Sequence, residues 1–98
     1  MKAGVPKQRI YLGKHAMSRL PDESGVYFLY QSGSILVYIG KAISVRDRVL
    51  QHDKDKDKEF IRIGYELVHY PRARKLEQEL LKLYREEHGQ LPYYNRQC

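Results

Sequence analysis

The chain has 98 residues, with 18 Lys and Arg against 12 Asp and Glu, for a formal charge of +6. That length accommodates one domain with a modest core and a shallow site, and 42% apolar with 31% charged residues is the balance of a soluble globular chain rather than a disordered one. No apolar run approaches the ~20 residues of a membrane span, and no apolar h-region follows the basic N-terminus as in a secretory signal. The single cysteine, Cys98, is terminal, which excludes an internal disulfide or a cysteine zinc site and accords with a reducing, cytoplasmic compartment. The basic excess points to an anionic partner, most simply nucleic acid.

Residues 1–19 contain Lys2, Lys7, Arg9, Lys14 and Arg19 and no acid, and read as a basic N-terminal extension, either a phosphate-binding arm or a solvated terminus. Residues 20–98 form the domain proper. Pro21 and Asp22 mark a turn into Gly25–Tyr30, a run of strand formers. A second run, Ile35–Ile39, follows across Gln31-Ser32-Gly33-Ser34, so the two predict a hairpin. Ile43–His52 reads as a helix. The alternating run from Asp53 to Glu59 is nearly neutral, lacks the pattern of an EF-hand loop, and reads as solvated loop. Ile61–Tyr70 alternates as a third strand, Pro71 suits the first position of a helix, and Arg72–His88 has helical apolar spacing closed by Gly89. The order ββαβα predicts an α/β (α+β) fold: a three-stranded, mainly antiparallel sheet flanked by helices.

With the turn centred between Ser32 and Gly33, Tyr27 pairs with Tyr38 and Gly25 with Gly40. Cross-strand partners share a face, so two phenols project together, as a site or as an ordinary aromatic pair. Arg48 and His52 are four apart on one helix face, and Lys41, seven before Arg48, can point the same way. On the long helix Leu83, Leu76, Leu80, Ala73, Tyr84 and Leu81 fill one arc, and Glu77 falls inside it. A carboxylate on an apolar face needs a partner. A structural ion pair with Arg48 or Lys41, a metal, or a catalytic role would each supply one.

Gly25-Val26-Tyr27 followed by Tyr38-Ile39-Gly40-Lys41, eleven residues on from Tyr27, resembles the signature of the GIY-YIG nuclease family. Tyr11-Leu12-Gly13-Lys14 is a decoy copy, with no Gly-Val-Tyr before it and no Arg ten residues after its Tyr. Arg48 lies ten after Tyr38 and His52 four later, where the family has an arginine and, in many members, a histidine. Glu77 opens the Glu-x-x-Leu-Leu-Lys-x-Tyr pattern of the family's metal-binding glutamate, and Asn95 resembles its late asparagine. The resemblance covers about Leu20–Asn95 and, in the lead-in Leu20–Tyr27, is nearest to the family's bacterial excision-repair members, in their N-terminal nuclease domain.

The resemblance implies metal-dependent hydrolysis of DNA phosphodiesters, with Tyr27, Tyr38, Lys41, Arg48, His52, Glu77 and Asn95 as site residues. A phosphodiester needs an activated water, neutralised charge and a stabilised leaving alkoxide. Glu77 would hold one Mg²⁺, or Mn²⁺, with waters completing the shell. Arg48 would fork onto the phosphate. Tyr27 would be the general base or orient the water, its phenol lowered by a cation such as Lys41 or by a metal-bound network. Tyr38 would position the water or phosphate, His52 would accept or relay a proton, and Asn95 would support the metal shell or phosphate. Lys41, Arg46, Arg48, Arg72 and Arg74 would bind DNA. A homodimer or a protein partner is a further expectation. The alternatives are a non-catalytic or partner-activated DNA-binding module of a repair or resolution complex, or a purely structural interaction domain.

Overall fold

Strand-forming side chains at Gly25–Gln31 and Ile35–Ala42 build the antiparallel hairpin β2–β3. A preceding short strand, β1, occupies Ile10–Gly13, and a following one, β4, occupies Arg62–Leu67. The computed structural model describes residues 9–32 and 34–96. The sheet order is β1-β4-β2-β3, with every pairing antiparallel. The sheet therefore has four strands, not three. The extra one lies inside the basic N-terminal extension and includes the first three residues of the decoy motif, Ile10 pairing with Tyr65 and Gly13 with Arg62. Four residues are too few for alternation to announce a strand, so only the free edge of β4 makes this segment one.

Helix α1 runs from Val45 to Asp55 and α2 from Tyr70 to His88. Ser44 caps α1 by accepting the Asp47 N–H at 3.1 Å, so the helix starts two residues later than the apolar spacing predicts and leaves Ile43 exposed. Short 3-10 helices span Lys14–Arg19 and Tyr93–Arg96. The helices cover opposite faces of the sheet. On one, Val45 and Val49 of α1 join Leu20, Tyr27, Leu29, Val37, Ala42, Phe60 and Ile63 in a core. On the other, Ala73, Leu76, Leu80 and Leu81 of α2 pack on Val26, Phe28, Tyr30 and Ile39. Burial of each large apolar side chain stabilises by roughly 1.5–3 kcal/mol. The expected arc on α2 is narrower than its apolar residues: Leu83 is 60% exposed and stands on the rim of a shallow groove with Ile35 and Leu36.

Of the basic extension, residues 1–8 lie outside those described. Arg9 pairs with the buried Glu66 at 3.0 Å and lies over the Phe28 ring at 3.8 Å. Lys14 pairs with Asp53 at 3.1 Å. These two cations are tied into the fold rather than held out as an arm. Among the described residues no helix is long and apolar enough to cross a membrane.

Candidate active site

The hairpin register differs from the expected one by two residues. Tyr27 stands opposite Gly40, Leu29 opposite Tyr38, and Gly25 opposite Ala42. The pairing then shifts so that Tyr30 meets Leu36, leaving Val37 as the extra residue of a bulge. A slip of two preserves the face, so Tyr27 and Tyr38 still project together, as diagonal neighbours with ring centroids 5.9 Å apart. Gly40 is what admits this arrangement. A Cβ there would fall 2.6 Å from the Tyr27 hydroxyl and 2.7 Å from the Tyr38 ring.

Helix α1 lays Arg48 and His52 over this pair. Val45, Val49 and His52 are its buried residues, and His52, only 5% exposed, completes a triangle with Tyr27 at 5.8 Å and Tyr38 at 5.6 Å between ring centroids. His52 Nε2 lies 2.8 Å from the Tyr27 hydroxyl. On the other side of the ring, Nδ1 lies 3.1 and 3.2 Å from the two carboxylate oxygens of Asp57. Lys58 holds the same carboxylate at 3.0 Å and lies over the Tyr38 ring at 4.6 Å. Asp57 belongs to the charge run that reads in sequence as solvated loop. Lys56, which caps α1 in the left-handed conformation (φ 53°), turns the chain back so that the next residue meets the helix's last turn.

Burial pushes the Tyr27 phenol far above its ordinary value of 10.0, the neighbouring Tyr38 adds to this, and Arg48 opposes it. The cation beside Tyr27 is thus Arg48 rather than Lys41, and the net direction is upward. Arg48 in turn is raised, first through its contact with the Tyr27 hydroxyl, and remains a fixed cation. His52 is lowered from 6.5, chiefly by burial, with Asp57 pulling the other way.

Lys41 and Glu77 sit on the opposite side of β3. Lys41 follows Gly40 and so projects toward α2, where its Nζ is 3.4 Å from Glu77 Oε1. Of the partners open to Glu77 in the sequence, this is the one it meets. The Glu77 side chain is 16% exposed. Lys41, Ser44, Asp47, Arg48, Gln51 and Tyr70 line an open concavity of about 600 Å³. Tyr70 opens α2, and Glu77 follows it by two turns on the same face. The concavity joins Arg48 to Lys41, and Lys41 reaches Glu77. Arg72 and Arg74 are exposed in the first turns of α2, whereas Arg46 is engaged by Asp22 at 3.4 Å and Asp47 at 3.3 Å. Asn95 lies elsewhere. Its Oδ1 accepts the Ile39 N–H at 2.8 Å and its Nδ2 donates to the Ile39 carbonyl at 2.9 Å, so both polar atoms are spent on the outer edge of β3.

Among the described residues no cluster of three or more His, Cys, Asp or Glu could cage a metal. A single carboxylate suits Mg²⁺, which keeps several waters and is held by one or two carboxylates together with substrate phosphates. Glu77 is a carboxylate of that kind, and its counter-ion in this structure is Lys41.

Among the curated relatives that share short stretches with this chain are three called UvrABC system protein C. The one from Ruminiclostridium cellulolyticum is 39% identical over 36 residues, which is 37% of this chain and 6% of the relative. That from Moorella thermoacetica is 46% identical over 33 residues, 34% of this chain and 5% of the relative. That from Alkaliphilus metalliredigens is 30% identical over 56 residues, 57% of this chain and 9% of the relative. The chain thus matches less than a tenth of the length of each of these relatives. No family model and no solved structure matches it.

Proposed function

We propose that this chain is a GIY-YIG-type DNA endonuclease unit of the kind used in DNA repair, hydrolysing one phosphodiester per encounter. The observation that carries the reading is the meeting of Tyr27, Tyr38, Arg48 and His52 beside a concavity shared by Arg48 and Lys41. The similarity to UvrABC system protein C supports the repair setting.

Arg48 is exposed over a buried phenol, so its fork can meet a phosphate without losing its anchor. Only 1% of Tyr27 is exposed and its phenol is raised, so it does not rest as a phenolate. It acts as a base only by giving its own proton to His52 Nε2, 2.8 Å away, as it takes one from the attacking water. The water oxygen then bonds to phosphorus and the bond to the leaving oxygen breaks. Tyr38 orients the water or phosphate from the same face. Glu77 would hold one Mg²⁺, with Mn²⁺ able to replace it. Bound there, the metal supplies Lewis-acid stabilisation of the developing negative charge. Lys41, Arg46, Arg72 and Arg74 are the further DNA contacts, Arg46 after release from Asp22 and Asp47. Asn95 acts as a positioning residue that fixes β3. Because one site cuts one strand, double-strand cleavage would take a homodimer, a partner protein or a second visit.

Nicking of supercoiled plasmid with Mg²⁺ tests the reading. The wild type is expected to nick and to stop when EDTA is added. Glu77→Ala is expected to fold and bind DNA but lose cleavage. Cleavage by that variant, or in EDTA, would remove Glu77 from the metal role.

A further inference from the structure

From the geometry around His52 we infer that Asp57 is a positioning residue: it fixes the His52 tautomer, so that Nε2 presents a lone pair to the Tyr27 hydroxyl. The inference deepens the function proposed above and rests on it for its catalytic meaning.

A neutral imidazole has one N–H and one lone pair, and the partner of one nitrogen decides the state of the other. The Asp57 carboxylate only accepts, and both its oxygens lie within 3.2 Å of Nδ1. The proton therefore belongs on Nδ1. Nε2 is left as the acceptor, 2.8 Å from Tyr27, which is the direction in which a proton must leave the phenol. When His52 takes that proton it becomes an imidazolium, and the carboxylate beside it compensates the new charge. The groups facing His52 are Tyr27 from β2, Tyr38 from β3, Arg48 one turn earlier on α1, and Asp57 and Lys58 from the segment after α1. Asp57 is the only anion among them, and Lys58 and Arg48 both disfavour the charged ring.

Asp57 is 43% exposed, so Asp57→Asn changes hydrogen-bond character with little change in shape. ¹⁵N NMR of imidazole-labelled, metal-free protein reads the tautomer directly. In the wild type the Nδ1–H form is expected. In Asp57→Asn the side-chain amide can donate to Nδ1, and the Nε2–H form is expected to become dominant. With Mg²⁺ and supercoiled plasmid, kcat is expected to fall about 10²–10⁴-fold, the range for losing a correctly placed proton acceptor. KM should change little, and Asp57→Glu should recover part of the rate. Lys58→Met removes the other partner of Asp57 and is expected to leave the tautomer unchanged. A wild-type Nε2–H form, or an Asp57→Asn protein with unaltered tautomer or unaltered kcat, would overturn the inference. Absence of cleavage by the wild type would instead overturn the nuclease reading, and the NMR result would still decide which tautomer Asp57 imposes.

Discussion

His52 is the residue in which burial and chemistry meet most directly. Burial favours its neutral form, which is the form able to accept a proton from Tyr27. The same fact has a consequence for stability. The folded ring binds a proton less readily than the unfolded one, whose value is 6.5. The stabilisation is therefore complete above that pH, is lost as pH falls through 6.5, and levels off below the lower folded value. Urea unfolding is expected to give a lower midpoint at pH 5 than at pH 7.5, with the difference reduced in His52→Gln. Tyr27→Phe is expected to leave folding intact, since the ring and its packing remain, while plasmid nicking falls about 10²–10⁴-fold through loss of the hydroxyl. Equal cleavage by the phenylalanine variant would remove Tyr27 from the proton path.

Two elements bring these residues together, and each is held by a contact that can be cut. Helix α1 depends on Ser44 at its N-cap. Ser44→Ala is expected to cost about 1 kcal/mol, seen as a fall of roughly 4–8 °C in Tm. The outer edge of β3 depends on Asn95, whose amide makes the paired bonds a neighbouring strand would make to Ile39. Asn95→Ala removes both and is expected to cost about 1–3 kcal/mol. Faster amide exchange at Ile39 would report that loss locally. Among the elements much was legible in the chain. The two strand runs, the helix over α1 and the long helix after Pro71 follow from period-2 and period-3.6 patterns. The bulge at Val37 was not legible, because an extra residue in one strand alters pairing without altering composition; it adds one residue to the one by which the Gln31–Ile35 pairing already departs from the expected register, and the two together set Tyr27 opposite Gly40 rather than Tyr38.

Over the whole molecule, the +6 charge divides unevenly: residues 1–52 carry eight basic against three acidic side chains, and residues 53–98 ten against nine. Folding neutralises part of the first set, since Arg9, Lys14 and Arg46 all have carboxylate partners. Arg48, Arg72 and Arg74 stay exposed. DNA affinity is therefore expected to fall linearly in log–log form with salt. Arg72→Ala and Arg74→Ala should each reduce the slope by about one if each meets a phosphate. An unchanged slope in a fluorescence-anisotropy titration would exclude those two from the interface.

Linear order settled which chemical groups are available and at what spacing. The succession of Gly25, Tyr27, Tyr38, Gly40, Arg48, His52 and Glu77 carried the family resemblance. The two local periodicities put the phenols on one sheet face and Arg48 with His52 on one helix face. Which groups meet was settled only by folding in three dimensions. Lys41 went to Glu77, because alternation along β3 turns it away from Tyr38 toward α2. Asn95 went to the backbone of Ile39, and Ile10–Gly13 became a fourth strand because β4 offered an edge. Asp57 was carried back onto His52 through one left-handed residue at Lys56. Periodicity is a rule about neighbours a few residues apart. Alternation turns Lys41 toward α2 without naming its partner there, and the other contacts close at a sheet edge or a single positive φ, which leave no repeating pattern in the chain.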